Sequence, residues 1–228
     1  MNKLTLTTCL AVLAMLSGAP AMAVDVTANG GLNSEYIFRG IPQSDGDAAA
    51  FGGLDAEWDL GFFAGVWAST VDSGTGGNDG IEYDLYGGWA GGVGDFSYGV
   101  GITLYRYTDS FDDDYNEVNL TGGWRFLTVN IDIGEYENFS GPDQDYQHSL
   151  VTAEYNGFYA SWGAFYDDFD GDYFTVGYGN TLTVADTDLF DYSLSIIHST
   201  DTLLESSTDS SDTNIVVEIS KTFDVWSN

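Results

Sequence analysis

Downstream of residue 23, apolar and polar residues alternate in about twelve stretches along the chain. Phe96, Tyr98, Val100, Ile102 and Leu104 alternate with Ser97, Gly99, Gly101 and Thr103. Ile81, Tyr83, Leu85 and Trp89 oppose Glu82, Asp84 and Tyr86, and Leu127, Val129, Ile131 and Ile133 oppose Thr128, Asn130 and Asp132. Successive side chains of a strand point to opposite faces, so each stretch predicts a strand with one apolar and one polar face. Four stretches, near Phe62, Val151, Phe158 and Phe174, alternate less cleanly because aromatics fall on both faces.

The connections alternate as well. Short ones fall near Gly61, Gly91 to Asp95, Arg125, Asn156-Gly157 and Ala185 to Asp188. Long ones span Gly40 to Asp47, Val71 to Gly80, Thr108 to Asp114, Gly134 to Asp145, Asp167 to Asp172 and Ser199 to Thr213. Asn156-Gly157 is the signature of a two-residue hairpin turn, in which both central residues take positive φ. Strict alternation puts every long loop at the end opposite the termini. A soluble β-sandwich also alternates. Here the stretches run about ten residues, against five or six in ordinary sheets, a length that suits a tilted membrane crossing. Asp55, Glu57, Asp84, Glu117 and Asp132 fall inside stretches, opposite the aliphatic row. The reading is all-β: one antiparallel transmembrane barrel of about twelve strands, with short periplasmic turns and longer acidic extracellular loops.

Tryptophans and tyrosines toward the stretch ends (Trp58, Trp67, Trp89, Trp124 and Trp162 among them) fit aromatic girdles. Gly52-Gly53, Gly87-Gly88, Gly91-Gly92 and Gly122-Gly123 either let the wall curve around inward aromatics or mark bulges.

The first 23 residues read as a cleaved export signal. Lys3 supplies the positive start, Leu10 to Leu16 the apolar run, and Ala21-Met22-Ala23 the cleavage site. Cys9 has too short an apolar lead for lipidation, and its loss with the leader removes all thiol chemistry from residues 24–228. What remains holds Arg39, Arg106, Arg125 and Lys221 against all 36 acidic residues of the chain. Such a balance excludes nucleic acid as a partner. An aromatic content of 15% argues against the disorder that the charge alone would imply.

The segment Ser34-Glu35-Tyr36-Ile37-Phe38-Arg39-Gly40-Ile41-Pro42-Gln43-Ser44-Asp45 resembles the opening motif of the TorF-type porin family of proteobacterial outer-membrane proteins. Residues Gly61 to Asp72 and Ile81 to Gly101 are similar to that family's next two blocks. Glu35 stands where the family has aspartate, and Pro42 where it has serine or threonine. The resemblance implies an outer-membrane location in a Gram-negative envelope and a pore-like role. It brings no catalytic residues and no substrate.

From the residues themselves, Glu35, Asp55, Glu57, Asp84, Glu117 and Asp132 are the candidate pore lining. Arg39 follows the inward series Asn33, Glu35 and Ile37 of the first stretch, and is expected to brace the pore mouth against Glu35, Asp45 or Asp47, or to draw anions inward, unless it forms an ordinary surface ion pair. Asp168, Asp170 and Asp172 have a fragment of calcium-loop spacing, without the terminal glutamate, and are a candidate weak divalent-cation site. His148 and His198 read as girdle or rim residues; His148 and Ser149, being adjacent, cannot share a strand face. No catalytic motif and no cofactor signature is present, and none is expected. The expected partners are outer-membrane lipid and lipopolysaccharide outside and small polar or cationic solutes inside. The function read from the sequence is passive, cation-preferring diffusion, or else a non-conducting barrel with a surface role through its acidic loops.

Overall fold

The computed structural model describes residues 23–74, 77–139, 141–204 and 213–227. The export signal expected over 1–23 lies, apart from Ala23, outside the described residues. Among the described residues there are fourteen strands and one short helix. Twelve strands close into a single antiparallel barrel: β1 (Val24–Asn33), β4 (Ala49–Trp58), β5 (Phe62–Asp72), β6 (Asp79–Val93), β7 (Phe96–Tyr107), β8 (Tyr115–Trp124), β9 (Leu127–Tyr136), β10 (Gln144–Tyr155), β11 (Phe158–Asp167), β12 (Gly171–Val184), β13 (Thr187–Ser199) and β14 (Thr213–Ser227). Each pairs with its sequence neighbour, and β1 pairs with β14 to close the wall, so no edge is left open. The remaining pair, β2 (Ile37–Phe38) and β3 (Ile41–Pro42), forms a hairpin of its own between β1 and β4. Helix α1 (Asp201–Leu204) follows β13.

The expected rhythm of connections holds. The turns after β4, β6, β8, β10 and β13's predecessor β12 are tight, and Asn156 and Gly157 both have positive φ (51° and 82°) as a two-residue hairpin turn requires. The other six connections gather at the opposite end, the shortest of them being 168–170.

Cross-strand register fixes which row faces in. Glu82 opposes Ser69, Asp132 opposes His148, and Glu117 opposes Thr103. These are buried, whereas the alternate row, with Ile81, Val100, Ile102, Leu194 and Val217, is exposed. The barrel is therefore apolar outside and polar inside, the reverse of a soluble β-barrel, whose apolar face packs inward. A belt of this extent would be an aggregating surface in water.

Glycine makes the inner wall fit. Phe51, Tyr86, Tyr146, Tyr173 and Tyr159 lie across Gly31, Gly65, Gly134, Gly163 and Gly177 of adjacent strands, and a Cβ on any of these glycines would come within 2.7 Å of a ring atom. Space for inward aromatics is thus the use of these glycines. The register runs unbroken through Gly52-Gly53, Gly87-Gly88, Gly91-Gly92 and Gly122-Gly123, so those pairs are not bulges. Irregularities occur instead at Val26/Thr27 and Leu182/Thr183. Trp67 departs from the girdle expectation: it points inward and meets Tyr36 edge-on at 5.6 Å between centroids.

Candidate functional site: a hairpin seated in the barrel

The first long connection does not project outward. It folds back so that the β2–β3 hairpin sits inside the wall, with Arg39 and Gly40 at its tip in positive-φ conformations of 50° and 81°. Arg39 was expected to continue the inward series of the first strand. That strand ends at Asn33, and the chain turns before it reaches the arginine.

Two wall carboxylates receive the Arg39 guanidinium. Nη1 and Nη2 form a fork on Glu117 Oε1 and Oε2, the latter at 3.0 Å, and Nη2 also donates to Asp132 Oδ2 at 2.9 Å. The expectation that Glu35, Asp45 or Asp47 would brace it is corrected: its partners lie 78 and 93 residues downstream. Nor is it a surface pair, since the arginine side chain is 11% exposed and the Glu117 side chain not at all. A forked, buried pair of this kind is geometrically specific.

A second layer holds the two carboxylates. Tyr105 and Tyr146 hydroxyls donate to Glu117 at 3.0 and 2.7 Å. Asn119 Nδ2 bridges the pair, at 3.1 Å from Glu117 and 2.9 Å from Asp132, while Thr103 donates to its Oδ1. His148 Nδ1 lies 3.0 Å from Asp132 Oδ2, and its Nε2 lies 3.1 Å from the Tyr173 hydroxyl. An Nδ1–H tautomer donating to Asp132 and accepting from Tyr173 satisfies both contacts. His148 is 1% exposed, so its reading as a girdle or rim residue is overturned; β10 places it inward beside Tyr146. His148 and Ser149 do take opposite faces. His198 is exposed, 2.9 Å from the Thr213 hydroxyl.

The hairpin has other attachments. Tyr36 donates its hydroxyl to the buried Glu82 at 2.8 Å, and Ser199 donates to the Gly40 carbonyl at 2.6 Å. Leu203 of α1 closes against Gly40, where a side chain would collide with it and with Tyr173. Ile41, Phe169 and Leu203 thereby join Tyr146, Phe165 and Tyr173 in one apolar cluster, and Phe38 packs on a second one of Tyr36, Ala49 and Val71. The loop-side half of the barrel is filled by its own loops.

The remaining candidates separate. Asp84, Glu117 and Asp132 are buried in this filled half. Asp55 lies lower on the inner wall, accepting hydrogen bonds from Tyr86 and from Asn29. Glu57 is exposed near the short-turn end, and Glu35 lies past the end of β1 in the connection leading to the hairpin. Asp168, Asp170 and Asp172 are turned to different partners, the Asp145 amide, the Gly171 amide and the Trp162 indole. Among the described residues no three or more such ligands converge. Asp112, in the loop before β8, accepts hydroxyl hydrogen bonds from Tyr115 and Tyr136, each at 2.8 Å. Burial pushes its carboxyl above the usual carboxylate range, although those bonds and the Asp113 amide pull the other way.

Sequence reasoning missed Tyr36, Glu82, Asn119, Tyr105, Tyr146 and Tyr173 as parts of one site. The two-residue spacing of Glu117 and Asn119, and of Tyr146 and His148, marks each pair as sharing a face, but nothing local pairs them with Arg39.

The matching family model is described as a bacterial protein of unknown function (Gcw_chp), and it covers residues 17–221. The chain belongs to that family. No curated protein matches it by sequence. Among solved structures it is similar to the KdgM porin in complex with disordered oligogalacturonate, with a TM-score of 0.52 and 10% identity over 87% of this chain and 99% of that one. The KdgM porin alone gives a TM-score of 0.50 and 9% identity over the same shares. At such identities the likeness is one of fold.

Proposed function

We propose that this member of the Gcw_chp family is an outer-membrane, porin-like channel that passes small hydrophilic solutes, favours cations, and is constricted by its own first hairpin. The apolar outer face supports a lipid and lipopolysaccharide surround, and the long loops would then face outward from the cell. One observation carries the selectivity. Among the described residues, the inward row of the twelve strands includes Asp55, Glu57, Asp84, Glu117, Asp132 and Glu218 and no lysine or arginine. The single inward cation, Arg39, arrives on the hairpin and is saturated by Glu117 and Asp132. Acidic walls of low dielectric raise the local concentration of cations and exclude anions.

The KdgM porin of the complex holds an acidic sugar chain. Among the described residues this lumen has no free wall cation to receive one, so the solute class does not carry over with the fold. Reconstitution of residues 24–228 in planar bilayers across a KCl gradient tests the reading. A reversal potential on the potassium side is expected; one on the chloride side would overturn it.

A second reading, a non-conducting barrel with a surface role, is favoured by the apolar clusters that fill the loop-side half. It predicts silent bilayers from a barrel that is still folded and heat-modifiable on gels.

A further inference from the structure

The Arg39 latch divides into two parts of different origin. Everything that receives the guanidinium belongs to the wall: Glu117 and Asn119 on β8, Asp132 on β9, Tyr105 on β7, Tyr146 and His148 on β10, Tyr173 on β12. Only the cation comes from elsewhere, on a hairpin that pairs with no barrel strand. Withdrawal of the hairpin would leave the ladder of the wall intact and its hydroxyl and amide donors in place. It would also expose two carboxylates held side by side by Asn119, with no cation between them.

We propose that the Glu117–Asp132 pair is a receptor for a soluble guanidinium or alkylammonium cation, a site that Arg39 now occupies as a tethered ligand. This deepens the cation-preferring reading and names the solute class for which the constriction is built. Three features support a receptor rather than a simple strut. The fork on Glu117, with Asp132 taking a further N–H, matches a planar guanidinium. Tyr105 and Tyr146, both on the wall, donate to Glu117 from two strands and hold its carboxylate in place whether or not the hairpin is seated. Finally, the wall presents two carboxylates, Glu117 and Asp132, to the single guanidinium. The wall thus carries more negative charge than Arg39 can neutralise.

Exchange follows from this arrangement. The hairpin leaves the pair only when another cation takes its place, because two uncompensated buried carboxylates are strongly unfavourable. A guanidinium-bearing solute entering from the loop side competes with Arg39 and, on winning, frees the tip that occludes the lumen.

The test uses residues 24–228 purified in detergent, so that it does not depend on conduction. Arg39→Ala should melt about 10 °C below the wild type. Ethylguanidinium should raise its melting temperature by roughly 3–6 °C at ten times the dissociation constant. Ethylurea, a neutral analogue of similar shape, should not, and Arg39→Ala with Glu117→Gln should lose the response. Arg39→Gln, which keeps the length of the tip without its charge, serves in the same titration if the alanine variant fails to fold. In bilayers, ethylguanidinium should block the current of Arg39→Ala at concentrations that leave ethylurea without effect. A response equal for the two compounds, or none in either variant, would overturn the receptor. A detergent response from a barrel that never conducts would keep the receptor and remove the channel.

Discussion

At the scale of the residue, single atoms decide how the inner wall packs. The Tyr173 ring lies across Gly163, where a Cβ would stand 2.3 Å from its Cζ, and the ring cannot swing aside without losing His148. Gly163→Ala is therefore expected to destabilise the barrel by about 1–3 kcal/mol. Gly122, which has nothing within 4 Å of the same position, should tolerate alanine to within about 0.5 kcal/mol. Urea unfolding in lipid vesicles measures both, and equal losses would remove the packing argument. Asp112 gives a pH signature of opposite sign to the usual paired carboxylate. Because burial raises its pKa in the folded state, the protonated form is favoured there. Its stabilising contribution is present in acid and is lost as pH rises through the raised value. The melting temperature of the wild type relative to Asp112→Asn should thus fall as pH rises above the ordinary carboxylate range; a flat or rising difference would contradict it. The identity of the latch was hardest to read at this scale. Arg39 stood out in the sequence as a lone cation in an acidic chain. Its partners did not, since separations of 78 and 93 residues leave no local trace. His148 was misread because β10 carries Tyr146, Leu150, Val151 and Tyr155 on both faces, which blurs the alternation that would have shown it pointing in.

At the scale of the element, strands and turns were legible because each rests on local rules: period-two alternation and positive-φ turn residues. Most wall strands follow them cleanly, and those near Phe62, Val151, Phe158 and Phe174, with aromatics on both faces, follow them less so. The hairpin was not legible. Ile37–Phe38 and Ile41–Pro42 are too short to show a period, and their position inside the wall depends on contacts with β8, β9, β13 and α1. Its apolar residues, set in an otherwise polar connection, were the available hint. Replacing residues 37–42 by a short glycine-serine linker should leave the barrel folded and increase single-channel conductance severalfold, because the apolar filling contributed by Ile41 and Phe38 is removed. An unchanged conductance would show that the constriction lies elsewhere.

At the scale of the whole molecule, the reversed polarity of the wall settles how it meets its surroundings. The protein should fractionate with outer membranes, need detergent for extraction, and migrate faster on gels before heating than after. Release into aqueous buffer would exclude the membrane reading. The strength of this expectation comes from a property that composition alone concealed. A mean hydropathy of −0.10 looks like a soluble protein, because the polar lumen and the apolar belt cancel in the average.

The pairing of β1 with β14 has a further consequence, for the order in which the molecule is made. Ser34 accepts the Val217 amide across 183 residues of chain, so the first strand waits for the last before it has a partner on that side. Until then both ends present unsatisfied edges, and the hairpin that follows β1 has only half a wall to enter. The first strand has to avoid wrong pairings until the last is made, which places the barrel among slow, non-local folders. Closing the seam and seating Arg39 are then late events, so a newly inserted barrel would pass through a stage that is sealed by nothing.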